Sequence, residues 1–200
     1  MDSMAIFSIF KRSFCELKNI RCLTTTGVLI AMYIVLEIFC CIDTGIFKIN
    51  FAFLALAAIG MLYGPTVAML AAIPCDLLAA ACRGYTLMII FTVVAVVEGL
   101  IYGLFLYGFD KRKKAAQIAL IGISRTTVVI ICNIVMNTLF TYYGTMLMSG
   151  LPYSTKYGLG EYFIIRITKN AIELPGDIVL IYMVLIPLGI IYKRMKRQSA

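Results

Sequence analysis

The chain has 200 residues, of which 62% are hydrophobic and only 14% charged, and its mean hydropathy is +0.97. Soluble domains are roughly half apolar and a quarter charged, so this composition excludes an ordinary soluble protein and predicts an integral membrane one. The formal charge of +8 is gathered between apolar runs rather than spread over one surface, which argues against a nucleic-acid partner.

Taken in chain order, residues 1–23 hold Phe7, Phe10, Phe14 and Leu17 at helical spacing with basic residues between them. That pattern predicts a cytoplasmic, interfacial helix rather than a cleavable signal peptide. Residues 24–192 read as a single membrane domain of about six transmembrane helices, and residues 193–200 as a basic cytoplasmic tail. The fold class expected is therefore an all-α integral membrane bundle, because spanning runs of about 20 residues recur without the dyad alternation of a barrel.

The runs lie at about residues 24–42, 50–63, 65–82, 87–109 and 117–140, and the last follows "RITKNAIELPGD" and reaches Ile191. Lys11, Arg12, Lys18 and Arg21 precede the first; Lys111, Arg112, Lys113 and Lys114 separate the fourth from the fifth; Lys193, Arg194, Lys196 and Arg197 follow the sixth. An even number of crossings puts all three clusters, and both termini, in the cytoplasm. No repeat of one half appears in the other, so the inverted-repeat mark of many secondary transporters is missing.

Several polar groups sit where hydrocarbon makes them expensive. Glu98 and Arg125 flank the "KRKK" turn at similar distances, which predicts an ion pair at one depth between the fourth and fifth spans. Asn133, Asn137 and Thr141 recur every four residues on one face of the fifth span, either bridging helices or lining a polar pocket. Glu37 and Asp76 fall in the outer halves of their spans and point to an outward-facing cavity. Single charges on the outer connections, Asp43, Lys48, Arg83, Lys156 and Glu161, are joined by Tyr142, Tyr143, Tyr153, Tyr157, Tyr162 and Phe163, as interfacial aromatics or a ligand-stacking lid.

In the opening of the last span, Arg166 and Lys169 lie nearest the outer surface, as headgroup or carboxylate contacts. Lys169, Glu173 and Asp177 share a face at spacings of four. Pro175-Gly176 is expected to loosen the helix there. Small residues at Gly27-x-x-x-Ala31, Ala68-x-x-x-Ala72 and Gly99-x-x-x-Gly103 permit close helix approach, for internal packing or for docking on another membrane subunit.

What is missing narrows the function. There is no His, no C-x-x-C among the seven cysteines, and no phosphate-binding glycine loop, serine elbow or H-E-x-x-H. No metal, cofactor or enzymatic activity is expected, and the chain has no familiar route to ATP hydrolysis of its own.

The stretch "FKINFAFLALAAIGMLYGPTVAMLAAIPCDLLAA", with Gly60, Met61, Leu62, Gly64, Pro65 and Asp76, resembles the substrate-binding S components of energy-coupling factor (ECF) transporters, especially the folate family. "RGYTL", "EGLIYGLFL", "MNTLFTYYG" with Asn137, Thr138 and Leu139, and "RITKNAIELP" extend the similarity, in order, over nearly the whole chain after Gly27. The resemblance implies a vitamin-binding subunit in a bacterial cell membrane that takes its ligand from outside. It would associate with a transmembrane T component and two cytoplasmic ATPases and topple in the membrane to release its cargo.

Folate is the first expected ligand, with thiamine, riboflavin and pantothenate as alternatives. Asn133, Asn137 and the outer tyrosines, Tyr85 and Tyr157 among them, are the candidates for its ring, and Arg166, Lys169, Lys48 and Arg83 for its glutamate tail; Asp76 is a further ligand-binding candidate. Gly27, Ala31, Ala68 and Ala72 are the candidates for docking on the T component. A stand-alone secondary transporter or channel, with Glu37, Glu98 and Asp76 as coupling sites, is the alternative of a different class. A membrane enzyme is disfavoured by the absence of His and of paired Asp motifs.

Overall fold

In hydrocarbon every backbone N–H and C=O must be satisfied within the chain, so apolar runs of this length fold as helices. The computed structural model describes residues 3–43, 48–84, 89–108, 114–141, 143 and 159–197. Within them the order is α1 Ser3–Glu16, α2 Ile20–Phe39, β1 Ile42–Asp43, β2 Lys48–Ile49, α3 Phe53–Tyr63, α4 Pro65–Arg83, α5 Ile89–Leu106, α6 Lys114–Thr141 and α7 Leu159–Arg197. The two short strands pair antiparallel, Ile42 with Ile49 and Asp43 with Lys48. The rest is a helical membrane bundle.

Among the described residues, five helices, α2, α4, α5, α6 and α7, are long and apolar enough to cross a bilayer. The second expected span is different, because α3 has only 11 residues and is about 16 Å long at 1.5 Å per residue. Its start is delayed by Asn50, whose Oδ1 accepts the Ala52 N–H at 2.7 Å. Its end is set by Gly64 at φ 86°, where Pro65 begins α4. Residues 52–61 are all buried, as expected of a helix that is apolar all round and enclosed by its neighbours.

The small residues act mainly inside the fold. A Cβ on Gly99 would lie 2.8 Å from the Ala68 carbonyl oxygen, and one on Gly103 would lie 2.3 Å from Pro65 Cα. Ala68 and Ala72, expected to dock a partner, are fully buried instead; they are the surface on which α5 closes against α4. Gly27 and Ala31 are exposed, and a Cβ on Gly27 would meet nothing within 4 Å. Gly103→Ala must push α5 away from the α3–α4 turn, and it is expected to cost about 2 kcal/mol. A lowered thermal midpoint, beside an unchanged one for Gly27→Ala, checks this.

The Gly64-Pro65 turn also organises one end of the bundle. Ser13 Oγ of α1 donates to the Tyr63 carbonyl at 2.7 Å and accepts the N–H groups of Thr66 and Val67 at 3.1 and 3.3 Å. A Cβ on Gly64 would sit 3.0 Å from Tyr107 past the end of α5, and the Tyr63 and Tyr192 rings meet edge to face at 5.7 Å. The start of α2 and the ends of α5 and α7, each beside a basic cluster, therefore share one end. At the other end, Arg83 donates to the Glu37 carbonyl and stands 3.7 Å from its carboxylate, which also takes the Asn50 amide.

Helix α7 continues through Pro175 and Pro187, so the loosening expected at Pro175-Gly176 does not interrupt it. Both Pro175 and Gly176 are exposed, which keeps the ring off the packed face, and membrane helices tolerate proline where neighbouring groups re-satisfy the backbone.

Candidate functional site

Two polar layers cross the bundle between α6 and its neighbours. The deeper one centres on Arg125, which is only 6% exposed. Its Nη2 and Nε bond Asp177 Oδ2 at 2.8 and 3.1 Å, Nη1 donates to the Tyr102 hydroxyl at 2.9 Å, and Glu98 lies 3.8 Å away. The guanidinium also sits 3.8 Å from the centre of the Phe53 ring, within cation–π range. One cation thus ties α3, α5, α6 and α7 together. Glu98 was anticipated from its spacing, but the shortest ion pair is to Asp177, which follows Lys169 and Glu173 at spacings of four along the continuous α7, as expected, and belongs to this core cluster.

The second layer lies about two turns further along α6, where residues Val129–Met136 form a π-helical stretch. Such stretches change the backbone bonding pattern and often occur at functional sites. Within it, the Asn133 carbonyl accepts Arg166 Nη1 at 3.2 Å, and the Asn133 side-chain amide donates to Asn170 Oδ1 at 3.3 Å. Asn137 donates to Asn133 Oδ1 at 3.5 Å, Thr141 Oγ1 bonds the Asn137 carbonyl at 2.6 Å, and Arg166 Nη2 reaches Thr141 Oγ1 at 3.5 Å. Asn170, 4% exposed, returns its amide to the Arg166 carbonyl at 2.8 Å. The arginine and three amides form one network of donors and acceptors linking α6 to α7.

The other expected site residues have other partners. Lys169 pairs with Glu173 at 3.3 Å one turn along α7. Asp76 accepts the Thr92 hydroxyl at 2.6 Å across α4 and α5. Arg83 is engaged with Glu37 as described, and the backbone of Lys48 belongs to the hairpin beside it. Tyr85 and Tyr157 lie outside the described residues, as do Tyr142 and Tyr153.

Asn170 was not anticipated from the sequence. Its only signal was an amide inside a charged stretch, and its role exists only across helices. Thr138 was named in the N-T-L element without a role; it is fully buried and its hydroxyl has no hydrogen-bond partner among the described residues. A buried unpaired hydroxyl is unfavourable, so Thr138→Val is expected to stabilise the ligand-free protein by about 1 kcal/mol. A higher melting temperature in detergent checks this, and a lower one contradicts it.

Comparison with known proteins follows the same lines. The family model for the ECF transporter substrate-specific component matches residues 21–185. The chain is 28% identical over 174 residues to the "Folate transporter FolT" of Clostridium novyi (strain NT), covering 83% of this chain and 88% of that one. It is also similar to a crystal structure of FolT bound with folic acid, with a TM-score of 0.67 and 25% identity over 82% of this chain and 92% of that one. With most of its length matched by the family model, the chain belongs to the substrate-specific components of ECF transporters.

Proposed function

We propose that this S component captures folate from the outer side of the membrane, in a pocket built on the α6–α7 polar network. The observation that carries the reading is the joining of Arg166 to Asn133, Asn137 and Asn170 in a chain whose family binds small substrates. Folate combines a pterin, which needs hydrogen-bond donors and acceptors together, with a tail of two carboxylates. Asparagine amides supply both kinds of group to the ring. Two of the Arg166 bonds go to neutral acceptors, and a ligand carboxylate taking their place gains charge-assisted, bidentate geometry. Lys169 adds a second positive charge one turn away.

Asp76, Tyr85 and Tyr157 complete the ring site in this reading, while Lys48 and Arg83 form a cationic rim. An anionic vitamin suits this set of cations better than cationic thiamine. Riboflavin and pantothenate are the remaining alternatives.

The proposed topology has six crossings and both termini in the cytoplasm, with the three basic clusters inside. The second crossing is completed by the residues that lead from β2 into α3. Energy comes from partners: a transmembrane T component, docked along the exposed Gly27 and Ala31 of α2, and two cytoplasmic ATPases. Mass spectrometry of the ligand that co-purifies with the full chain tests the reading. Folate or a reduced folate supports it, and a different vitamin overturns the substrate. Gradient-driven uptake by the chain alone in liposomes would overturn the partner-driven scheme.

A further inference from the structure

Helix α1 has two faces with different chemistry. Its inner face is pinned: buried Ser13 joins Tyr63, Thr66 and Val67, and the Phe10 carbonyl accepts the Thr66 hydroxyl at 3.2 Å. Its other face carries Phe7, Lys11 and Phe14 at i, i+4 and i+7, which stand above one another on a helix. Phe7 is 74% and Phe14 57% exposed, and Lys11 and Arg12 are exposed beside them. The same character continues through the turn with Lys18, exposed Ile20 and Arg21, and Leu23. Glu16 is the single acidic residue within α1.

The helix is fixed across the end of the bundle where the Gly64-Pro65 turn, Tyr107 and Tyr192 meet. At that end the apolar helices begin or stop, at Ile20, Pro65, Leu106 and Tyr192. A face of large aromatics interleaved with cations, held at that level, is complementary to a negatively charged lipid surface: rings enter the headgroup boundary while ammonium and guanidinium groups reach phosphates. We propose that α1 binds the headgroup layer of an anionic leaflet and that Ser13 transmits this anchorage to the α3–α4 turn. The inference is independent of which ligand the transporter carries.

The chain contains no Trp, so Phe14→Trp in the full-length protein provides a single fluorophore on this face. The variant is reconstituted, without folate, into vesicles of phosphatidylcholine alone or mixed with phosphatidylglycerol, each with brominated acyl chains as quencher. The expected result is blue-shifted emission with roughly two-fold stronger quenching in the anionic vesicles. Adding Lys11→Glu and Arg12→Glu should return quenching to the neutral-lipid level. Unquenched emission in both lipids would mean that the face meets water or protein and would overturn the proposal. Equal quenching in both lipids, insensitive to the charge reversals, would overturn its anionic specificity. Phe7→Trp gives the same reading from the same face if Phe14→Trp does not fold.

Discussion

Arg125→Met is expected to destabilise the protein by about 3–5 kcal/mol, the largest single-residue effect in the structure. Methionine fills much of the arginine volume and preserves the contact with Phe53. It leaves the Asp177 and Glu98 carboxylates side by side in an apolar bundle without their cation. The cost comes from stranding those charges, not from losing the worth of a salt bridge, because a buried pair returns little more than its own desolvation. The control follows from the same logic. Adding Asp177→Asn and Glu98→Gln to Arg125→Met removes the stranded charges and should recover most of the loss. Thermal unfolding in detergent measures both variants; a triple variant no better than the single one would show that specific hydrogen bonds, not charge balance, hold the cluster.

Arg166→Ala is expected to weaken folate binding by roughly 100-fold, or about 2.8 kcal/mol at 1.4 kcal/mol per factor of ten. Arg166 bridges the Asn133 carbonyl and Thr141, so removing it loosens the amides as well as deleting the carboxylate partner. Arg166→Lys should recover little, since an ammonium lacks the planar fork that grips a carboxylate bidentately. Lys169→Ala should cost roughly ten-fold, because Lys169 is already shared with Glu173 and partly solvated. Neither substitution touches the exposed α2 face, so co-purification with the partner subunits should be unchanged. Unchanged affinity in both the Arg166 and the Lys169 variants would return the stretch to a structural role.

Much of this arrangement was legible because membrane helices follow simple rules. The distances of Glu98 and Arg125 from the "KRKK" turn put them at one depth, and they do lie 3.8 Å apart. The Asn133, Asn137 and Thr141 spacing foretold a shared face, and Gly64-Pro65 marked a helix junction. What escaped was what depends on tertiary contact. Asp177 is separated from Arg125 by 52 residues, and its spacing from Lys169 and Glu173 suggested a different company. Asn170 acts through Asn133 on another helix. The π-helical stretch "VIICNIVM" contains no Gly or Pro, so nothing local announced it. The start of α3 at Phe53 and not at Asn50 goes with the Asn50 bonds to Ala52 and Glu37, which a run of apolar letters does not reveal. Ala68 and Ala72 carried a small-residue spacing equally suited to internal and external packing, and only burial separated the two.

The purified chain, without its partners, is expected to bind folate through the α6–α7 network. Equilibrium binding of radiolabelled folate to the detergent-solubilised full-length protein tests it most directly. The account predicts saturable binding at one site with Kd below about 1 µM, shifted by roughly 100-fold in Arg166→Ala. Absence of saturable binding in that range, from a protein whose melting curve shows it to be folded, would contradict it.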